Sequence, residues 1–579
     1  MQSNYISKLQ GTPVKKFFAL LSLEGKEIFF VYAYAVINSI INLSLPLGIQ
    51  AIMPLMTAGR VSTSIILLIV VVLIAILVTS GLQIMQYSIM ERIQQRIFTK
   101  SAFEFAHRIP RMKLEGLVKQ YSPELMNRFF DIMTVQKGLP KIVIDLTASL
   151  LQIVFSLLLL AFYSAVFAFY GLLVLVVIVL LFYFTSNKGL STSLMESKYK
   201  YKVAHWLEEL SRSMNIFKLA GYTEMPLRHT DGLVSNYLKH RKDHFRVLIN
   251  QYSFIILFKA LITGGLLIIG VVLVASKQIN LGQFVASEII IIIILGAAEK
   301  LFSAIETIYD VLTGVEKISM VTDKELETED GVDFEQIDDH KGLKIEFRNV
   351  TYQHSTNNHK ALDDVNLIIE SGEKVCVCGY AASGCSTLIN LAASLYHNYD
   401  GTILFNGLSM RNLNLISLRS YVGENLNQNE LMNGTIAENI SMGRDDITFQ
   451  DVLEASDIVN LKDYVDMQPE GFDTQIIQND FTVPFSISTK INLARSIAEK
   501  PRLFVMDQPL QHLDKVDKVR VSKHLTNKEN DWTLLVATND LAFVSECEKI
   551  IVLDKGKVRD VCTYEEIQKK PYFNTLFET

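Results

Sequence analysis

Residues 378–387 read Cys-Gly-Tyr-Ala-Ala-Ser-Gly-Cys-Ser-Thr, and this stretch decides the fold of the C-terminal half. Gly379 and Gly384 have the spacing of a phosphate-binding loop, G-x-x-x-x-G-K-[ST], and Ser386 fills its last position. Cys385 stands where the motif has lysine. The backbone N–H groups of such a loop and the positive end of the helix after it bind phosphate without the lysine. The stretch therefore predicts a phosphate loop, with a plain glycine turn before a helix as the alternative.

The sequence around this loop provides the context that a phosphate loop needs. Residues 374–378 form a short apolar run typical of a buried strand, and residues 388–395 suit a helix. Downstream, residues 503–507 form another buried-strand run that ends in a carboxylate, and residues 534–537 are a further strand candidate. Strands that alternate with helices, with the loop at the carboxyl end of a strand, predict an α/β domain.

The N-terminal half contains six long apolar stretches. They are residues 29–52, 64–84, 142–163, 166–184, 254–274 and 284–301. A bilayer requires ~20 apolar residues per helix, and each stretch comes near that length. Buried helices of a soluble protein rarely reach it, so we expect six membrane spans.

The connections between these stretches predict an orientation. Two of them, residues 85–141 and 185–253, are long and carry most of the charge, whereas the short ones hold little more than Arg60 and Lys277. Lysine and arginine are biased toward cytoplasmic loops. We therefore expect the long insertions and both termini on the cytoplasmic side of a plasma (inner) membrane.

Some charged residues lie within or at the end of the apolar stretches. Glu288 lies inside the last stretch, and Glu299 and Lys300 lie near its end. Such groups are costly in lipid. They either line a substrate path or pair with one another between helices, and both alternatives stay open.

Composition narrows the class of partner. The formal net charge of −6 gives no reason to expect nucleic acid as a partner. The apolar stretches make membrane lipid the expected environment. The five cysteines all lie in the C-terminal half and show neither a C-x-x-C pair nor metal-ligand spacing, which argues against a zinc site and against a disulfide framework. Free thiols suit a reducing compartment, so we expect this half in the cytosol.

Six spans with two long cytoplasmic insertions and a nucleotide-binding domain resemble an ATP-binding cassette (ABC) exporter half-transporter. Within that family, the chain most resembles the bacterial peptide- and protein-secretion branch. Further segments match the exporter pattern in order and spacing: Leu418-Arg419, 434–436, 438–440, 493–495, Asp507 and 513–514. The resemblance implies a cytoplasmic segment (1–28), a six-helix transmembrane domain (29–321), a linker (322–342) and a P-loop NTPase-like nucleotide-binding domain (343–579). It also implies that residues 105–114 and 206–224 are coupling segments that dock on that domain.

The same resemblance implies that ATP and Mg²⁺ bind at the loop. The residues it assigns to the nucleotide are Tyr352, Gly379, Ser383, Gly384, Cys385, Ser386, Thr387 and Asp507. Tyr352 would stack on adenine, with a core tyrosine as the alternative. Ser386 and Asp507 would hold Mg²⁺.

The departures from the family pattern fall on the groups that carry out the chemistry. Cys385 replaces the lysine that contacts the β- and γ-phosphates, and losing one charge-assisted contact costs ~1.5–3 kcal/mol. Gln508 replaces the glutamate that activates water, which typically costs ~10²–10⁴-fold in rate. Asn427 falls on the glutamine that senses Mg²⁺, and Asn539 falls on the switch histidine. No catalytic position is therefore intact.

The signature segment that would face a second subunit is replaced as well. Residues 483–487 read Val-Pro-Phe-Ser-Ile where the family has L-S-G-G-Q. Pro484 has no N–H group and Phe485 is bulky, so the backbone can no longer approach a γ-phosphate.

Two functions are compatible with these observations. The first is a transporter subunit that binds ATP weakly and hydrolyses it poorly or not at all. It would move an unknown substrate as a homodimer, or as a heterodimer with another half-transporter. The second is a catalytically dead pseudo-ATPase that serves as a membrane scaffold, regulator or gate. Whether a periplasmic adaptor protein takes part stays open.

Overall fold

The computed structural model describes residues 11–57, 63–116, 122–327, 330–334, 342–354, 359–426, 431–477 and 483–577. The chain divides into two compact units. The first comprises Met1–Pro110 and Gln120–Lys324, and the second comprises Arg111–Lys119 and Glu325–Thr579. A short segment of the first long insertion therefore belongs to the C-terminal unit.

The first unit is helical. Its helices are α1 (Pro13–Ser22), α2 (Gly25–Ile41), α3 (Ser44–Thr57), α4 (Thr63–Arg108), α5 (Ser122–Asn127), α6 (Asp131–Pro140), α7 (Thr147–Tyr163), α8 (Ala165–Arg212), α9 (Met214–Leu219), α10 (Met225–Ala275) and α11 (Leu281–Thr322). Helices α4, α8, α10 and α11 have 46, 48, 51 and 42 residues. Since ~20 residues cross a bilayer, each has room for a span and for an extension beyond it.

Several described helices can cross a membrane by length and composition. They are Gly25–Met56, Thr63–Arg111, Leu125–Tyr163, Met225–Ala275 and Leu281–Thr322, and each contains one predicted stretch. The remaining predicted stretch, 166–184, falls on α8, whose apolar part among the described residues is Ala165–Val177. The prediction of a helical, multi-pass membrane domain is confirmed, and the sixth span stays a prediction.

The outward faces of these helices are apolar. Leu67 and Leu77 on α4 are 65% and 72% exposed, and Ile268 on α10 is 68% exposed. Extended apolar surface of this kind is stable in lipid rather than in water. Glu299 on α11 forms an ion pair with Lys259 on α10. The sequence left two roles open for the charged residues near the last stretch, a substrate path or pairing between helices. This ion pair is an example of pairing between helices.

Beyond the apolar stretches, a buried charged network holds the helices together. Tyr201 on α8 donates a hydrogen bond of 2.5 Å to the Asp131 carboxylate at the start of α6. The Arg128 guanidinium carbon lies 3.8 Å from the centre of the Tyr201 ring. All three side chains are buried. A cation over an aromatic face is attracted by the charge distribution of the ring, and more strongly where water is excluded. The network therefore fixes α6 against α8.

The second unit combines sheets with helices. Its strands are β1 (Ile345–Gln353), β2 (Lys360–Ile369), β3 (Lys374–Gly379), β4 (Asp400–Phe405), β5 (Leu408–Ser409), β6 (Val422–Asn425), β7 (Gly434–Thr435), β8 (Gln475–Ile476), β9 (Leu503–Asp507), β10 (Thr533–Ala537), β11 (Lys549–Asp554) and β12 (Lys557–Cys562). Its helices are α12 (Cys385–Ala392), α13 (Leu415–Arg419), α14 (Ile436–Ser441), α15 (Phe449–Ile458), α16 (Lys462–Asp466), α17 (Phe485–Ala498), α18 (Lys515–Leu525), α19 (Leu541–Val544), α20 (Tyr564–Ile567) and α21 (Phe573–Phe577).

The larger described sheet has the strand order β12-β11-β3-β10-β9-β6. Strand β3 pairs in parallel with β10 and β11, and β9 pairs in parallel with β10 and β6. A second sheet, β2-β1-β4-β5, is antiparallel. The predicted α/β domain is confirmed, and its phosphate loop follows the carboxyl end of β3, between two neighbouring parallel strands.

Strand β3 is buried on both faces. Val375 and Val377 belong to one hydrophobic core, whereas Cys376 and Cys378 belong to the other. Because side chains alternate across a strand, each core receives every second residue. A parallel strand covered on both faces is expected to be continuously apolar, as β3 is after its first residue. The position of the loop is therefore fixed by both cores.

The first residue of β3 is a buried lysine. Lys374 is fully buried, and its Nζ donates hydrogen bonds to the carbonyl oxygens of Gly372 (3.1 Å), Asn530 (3.0 Å) and Trp532. Burial lowers the pKa of this ammonium group from its usual range. The three carbonyls compensate the charge and hold the start of β3 to the segment that leads into β10.

The segment Arg111–Lys119 packs within the second unit through its described part. Met112 forms an isolated β-bridge with Leu326. The Glu115 carboxylate accepts hydrogen bonds from the backbone N–H groups of His397 and Asn398, the latter at 3.1 Å. Burial acts to raise the pKa of Glu115, but hydrogen bonds from His397 and from backbone N–H groups lower it to about 2. This carboxylate therefore stays charged at any physiological pH and holds the segment in place.

We predict that Lys374→Met destabilises the second unit, because it removes three hydrogen bonds from a charged donor in a buried site. The expected loss in free energy of unfolding is on the order of 3 kcal/mol. Urea unfolding of the full chain in detergent, followed by tryptophan fluorescence, measures it, since Trp532 accepts one of these bonds. The control is Lys344→Met, which removes a partly exposed ion pair with Glu370 and should cost less than about 1 kcal/mol. Equal losses in both variants would contradict the role of Lys374.

Candidate functional site

The loop after β3 borders a cavity of about 350 Å³. Loop residues 379–387 line it together with the side chains of Asp507, Gln508, Thr538 and Asn539. The structure thus brings together Gly379, Ser383, Gly384, Cys385, Ser386, Thr387 and Asp507 from the predicted nucleotide site. Thr538 was not predicted, because its place at the cavity follows only from the pairing of β10 with β3.

The shape of the loop requires both of its glycines. Gly384 has a φ of 103°, and a Cβ atom there would lie 2.4 Å from the carbonyl oxygen of Ala361. A Cβ atom on Gly379 would lie 2.2 Å from Ser383 Oγ and 2.9 Å from the carbonyl oxygen of Leu553. Only glycine accepts such a conformation and such close approach without strain. Any side chain at either position would distort the loop.

The loop leads directly into α12, which begins at Cys385. The backbone N–H of Leu388 donates to the carbonyl of Gly384 at 2.9 Å and closes the first turn. The earlier N–H groups of a helix have no partner inside the helix and carry its positive end. An anion bound at this loop would satisfy them. The backbone groups that a phosphate needs are therefore in place, and the loop fits the phosphates of a nucleotide.

Cys385 contributes no positive charge. Its Sγ atom lies 3.2 Å from Ser383 Oγ, inside the loop. Burial raises the pKa of the Cys385 thiol to about 11, so the group is neutral at physiological pH. The contact that a lysine would make with a nucleotide is absent, and the thiol faces a hydroxyl of its own loop.

The two predicted metal ligands are in contact. Asp507 ends β9, and burial raises the pKa of its carboxyl while a hydrogen bond with Ser386 acts to lower it. A carboxylate and a hydroxyl are oxygen ligands of the kind that Mg²⁺ prefers, with water and phosphate completing its shell. The described residues hold no cluster of three or more ionisable ligands that could bind a metal ion alone. Ser386 and Asp507 therefore fit Mg²⁺ as part of a nucleotide complex.

Gln508 and Asn539, which the resemblance places at catalytic positions, make contacts within the domain. The side-chain oxygen of Gln508 accepts a hydrogen bond from the Thr538 hydroxyl at 3.5 Å. Asn539 Nδ2 donates to the carbonyl of Gly379 at 2.9 Å, and the N–H of Gly379 donates to Asn539 Oδ1 at 3.2 Å. The amide at the switch position is thus paired with the first glycine of the loop.

Tyr352 lacks the accessible ring that stacking on adenine requires. It lies on β1, is only 2% exposed, and is covered by the ring of Tyr396 at 4.9 Å and 11°. Tyr352 is therefore a core tyrosine, which was the alternative to adenine stacking in the sequence analysis. His354, two residues farther, has Nε2 at 3.4 Å from Thr387 Oγ1 and is only partly buried. Since residues i and i+2 share a face of a strand, alternation could have suggested His354, but nothing in the sequence chose between the two aromatic rings.

The remaining predicted positions either do not line the cavity or lie outside the described residues. Asn427 lies outside the described residues. Pro484 precedes α17, and the ring of Phe485 is 63% exposed and stacks on His512 at 5.5 Å. The helix that would begin with a glycine-rich signature therefore begins with proline and an exposed aromatic ring.

Comparisons with known proteins agree on one family. A family model described as ABC transporter matches residues 362–511, and one described as ABC transporter transmembrane region matches residues 28–298. Relatives in Staphylococcus aureus strains NCTC 8325 and COL carry the description multidrug export ATP-binding/permease protein. Each is 25% identical over 371 residues, and the match spans 64% of this chain and 64% of the relative.

A solved structure of a bacterial Atm1-family ABC exporter with ATP bound has a similar fold. Its TM-score is 0.84 at 15% sequence identity, and the match covers 96% of this chain and 98% of that chain. At this identity the likeness concerns the fold alone.

We predict that a maleimide reagent modifies Cys385 first among the five cysteines, since it lines the cavity and the other four are buried. The thiolate is the reactive form, so the rate should rise about tenfold per pH unit below the thiol pKa. Rates between pH 7 and 10, measured by mass spectrometry of the labelled peptide, test this. The control is Cys385→Ser, which should abolish the fast-reacting site. A rate that levels off near pH 8.5, the ordinary thiol pKa, would contradict the described environment.

Proposed function

We propose that this chain, which belongs to the ABC transporter family as an exporter-type half-transporter, binds ATP with Mg²⁺ weakly, hydrolyses ATP poorly or not at all, and moves an unidentified substrate across the membrane. One observation carries the proposal. The glycine loop and α12 keep the geometry that holds phosphate, whereas the groups that would act on the γ-phosphate are replaced.

Binding is supported by the groups that remain. The loop from Gly379 to Gly384 and the first turn of α12 supply backbone N–H groups, and Ser386 and Asp507 would hold Mg²⁺. Bound ATP would supply the γ-phosphoryl group whose hydrolysis drives transport in related proteins. Cys385 adds no charge, so one charge-assisted contact, ~1.5–3 kcal/mol, is missing. The affinity is therefore reduced but not abolished.

Slow or absent hydrolysis is supported by the groups that are replaced. Gln508 can orient a water molecule but cannot accept its proton, and general-base catalysis typically contributes ~10²–10⁴-fold. Asn539 is engaged with Gly379. Pro484 has no N–H group to offer a second subunit, and Phe485 projects an aromatic ring there. A homodimer would carry these losses in both of its sites, and a heterodimer would carry part of them in each.

An exposed apolar tip on the first unit supports assembly as a dimer. We define this tip by four side chains that are 68%, 89%, 92% and 73% exposed: Ile216, Leu219, Tyr222 and Leu227. They lie in the second long insertion, which the lysine and arginine bias places in the cytoplasm, away from lipid. Exposed apolar clusters in water mark interaction sites. The occupant that we propose is the nucleotide-binding domain of a second half-transporter.

The same proposal includes orientation and domain limits. The charge of the two long insertions supports a plasma (inner) membrane location with both termini in the cytoplasm. The domain limits that go with it are 1–28, 29–321, 322–342 and 343–579. Residues 105–114 and 206–224 would be the coupling segments of the first and second insertions.

A catalytically dead scaffold, regulator or gate is the second candidate. The specific observation in its favour is the exposed ring of Phe485 at the start of α17. An exposed aromatic ring suits a permanent contact between domains better than a phosphate-dependent one. In that case the domain would serve dimerisation without nucleotide.

We predict that the full chain in lipid nanodiscs binds MgATP with turnover at background level. Gly384→Asp should abolish binding, because even a Cβ atom would lie 2.4 Å from the Ala361 carbonyl. Ser386→Ala keeps the loop and should weaken MgATP binding about threefold to tenfold by removing a metal ligand. Ser420→Ala, an exposed serine bonded to the Ser417 carbonyl, is the control and should bind like the wild type. Calorimetry and a phosphate-release assay measure binding and turnover.

Gln508→Glu separates one lost group from the others. It restores the carboxylate, yet we expect turnover to stay at background because Asn539 and residues 483–487 remain replaced. Fast turnover by the wild-type chain alone would contradict the proposed function. Failure to bind at millimolar MgATP would favour the scaffold.

We predict that Leu219→Glu lowers the fraction of dimer, because it places a charge within the apolar tip. Mass photometry in detergent measures this fraction. Leu238→Glu on α10 is the control, since Leu238 is 47% exposed and lies outside the tip. Equal dimer fractions in the Leu219→Glu variant and the wild type would contradict docking through the tip.

A further inference from the structure

We infer that the site binds nucleoside diphosphates as tightly as triphosphates, because the loop keeps its contacts to the α- and β-phosphates and offers a γ-phosphate almost nothing. This inference rests on the proposed nucleotide binding and adds to it the class of nucleotide. It follows from what the side chains at the cavity touch.

The retained contacts are those of the inner phosphates. In phosphate loops the backbone N–H groups cradle the α- and β-phosphates, the lysine reaches the β- and γ-phosphates, and the hydroxyl binds Mg²⁺. Here Gly379, Gly384 and the start of α12 preserve the cradle, and Ser386 preserves the hydroxyl. These groups act equally on a diphosphate and on a triphosphate.

Asn539 is held away from any γ-phosphate by a two-point pairing. Its amide donates to the carbonyl of Gly379 at 2.9 Å and accepts from the N–H of the same residue at 3.2 Å. The N–H of Thr538 donates to the carbonyl of Val377 at 3.1 Å, so the side chain of Asn539 continues the hydrogen bonding between β10 and β3. Contact with a γ-phosphate would require both bonds to break. An imidazole ring could not form both, since its donor and acceptor point in diverging directions.

The side chains of Cys385 and Gln508, like that of Asn539, contact neighbouring groups of the protein. The Cys385 thiol lies 3.2 Å from Ser383 Oγ, and the Gln508 oxygen accepts from the Thr538 hydroxyl at 3.5 Å. Both groups are neutral, and both contact the protein around the cavity. Neither offers a positive charge to a third phosphate, and the Gln508 oxygen is already committed to Thr538.

The charge of the cavity also disfavours a preference for ATP. Among the described residues that line it, Asp507 is the only one with a charged side chain. A γ-phosphate adds negative charge near this carboxylate, and Mg²⁺ offsets the charge of ADP as well as that of ATP. The described lining residues therefore offer a third phosphate no positively charged side chain.

The consequence is a site that stays occupied whatever the phosphorylation state of the nucleotide. Exchange of ATP for ADP would change neither occupancy nor the pairing of Asn539 with the loop. The nucleotide would then act as a constant structural ligand of this domain. Asn539 is a positioning residue, since it acts through Gly379.

The test is a comparison of dissociation constants for MgADP, MgATP and MgAMP. The full chain in lipid nanodiscs is titrated with each nucleotide by calorimetry at excess Mg²⁺. We expect the constants for ADP and ATP to agree within about threefold and AMP to bind at least about tenfold more weakly. ATP binding at least tenfold more tightly than ADP would overturn this inference but not the proposed nucleotide binding. AMP binding as tightly as ADP would overturn it too, because the loop would then not read the β-phosphate. No binding of any nucleotide would overturn the proposed function itself.

Variants locate the effect in named residues. Cys385→Lys combined with Asn539→His should restore a preference for ATP of at least about tenfold. Cys385→Met, which has a long side chain without charge, should leave the two constants equal. Asn539→Ala should weaken ADP and ATP by the same factor, because the loop loses its support but no γ-phosphate contact. A change of the ATP-to-ADP ratio in Asn539→Ala would contradict the pairing as the reason.

Discussion

The burial of strand β3 on both faces is the constraint on which the C-terminal unit depends. Its alternate residues belong to two different hydrophobic cores, and Lys374 ties its first residue to three backbone carbonyls. A one-residue shift of this strand would exchange the side chains that the two cores receive and would move Lys374 away from its three carbonyls. The register of β3 therefore fixes where the loop from Gly379 to Gly384 begins.

The cavity beside this loop is lined by neutral side chains at the positions where the family resemblance implies lysine, glutamate and histidine. Polar groups that are partly buried need hydrogen-bond partners. Asn539 finds them on the backbone of Gly379, and the Gln508 oxygen accepts from Thr538. Together with the Cys385 thiol, these residues make contacts within the protein that leave the shape of the loop intact. This arrangement is the basis of the proposal that the site binds a nucleotide but acts on its phosphates slowly or not at all.

The membrane half is under a different constraint, because in lipid the backbone N–H and C=O groups of each span must form hydrogen bonds within their own helix. Apolar side chains cover the outer faces of these helices. The buried charged groups Asp131 and Arg128, both in contact with Tyr201, connect the extensions beyond the spans. The segment with Glu115 belongs to the second unit, where its carboxylate accepts two backbone hydrogen bonds. The apolar tip lies in the second long insertion and its four side chains are strongly exposed, which is why a second chain is its proposed occupant.

The sequence by itself determined the membrane stretches, the phosphate loop and the strand before it, because these depend on local hydrophobicity and on residue spacing. Counting from the motifs of the resembled family also predicted Cys385, Gln508 and Asn539 as replaced positions. Only the tertiary structure decided that Tyr352 is covered by Tyr396 and that His354 lies beside Thr387. Only the sheet order β11-β3-β10-β9 brings Asn539 to Gly379, 160 positions away in the chain. Such contacts depend on which strands become neighbours, and that choice is made by burial of the whole domain and not by any local pattern.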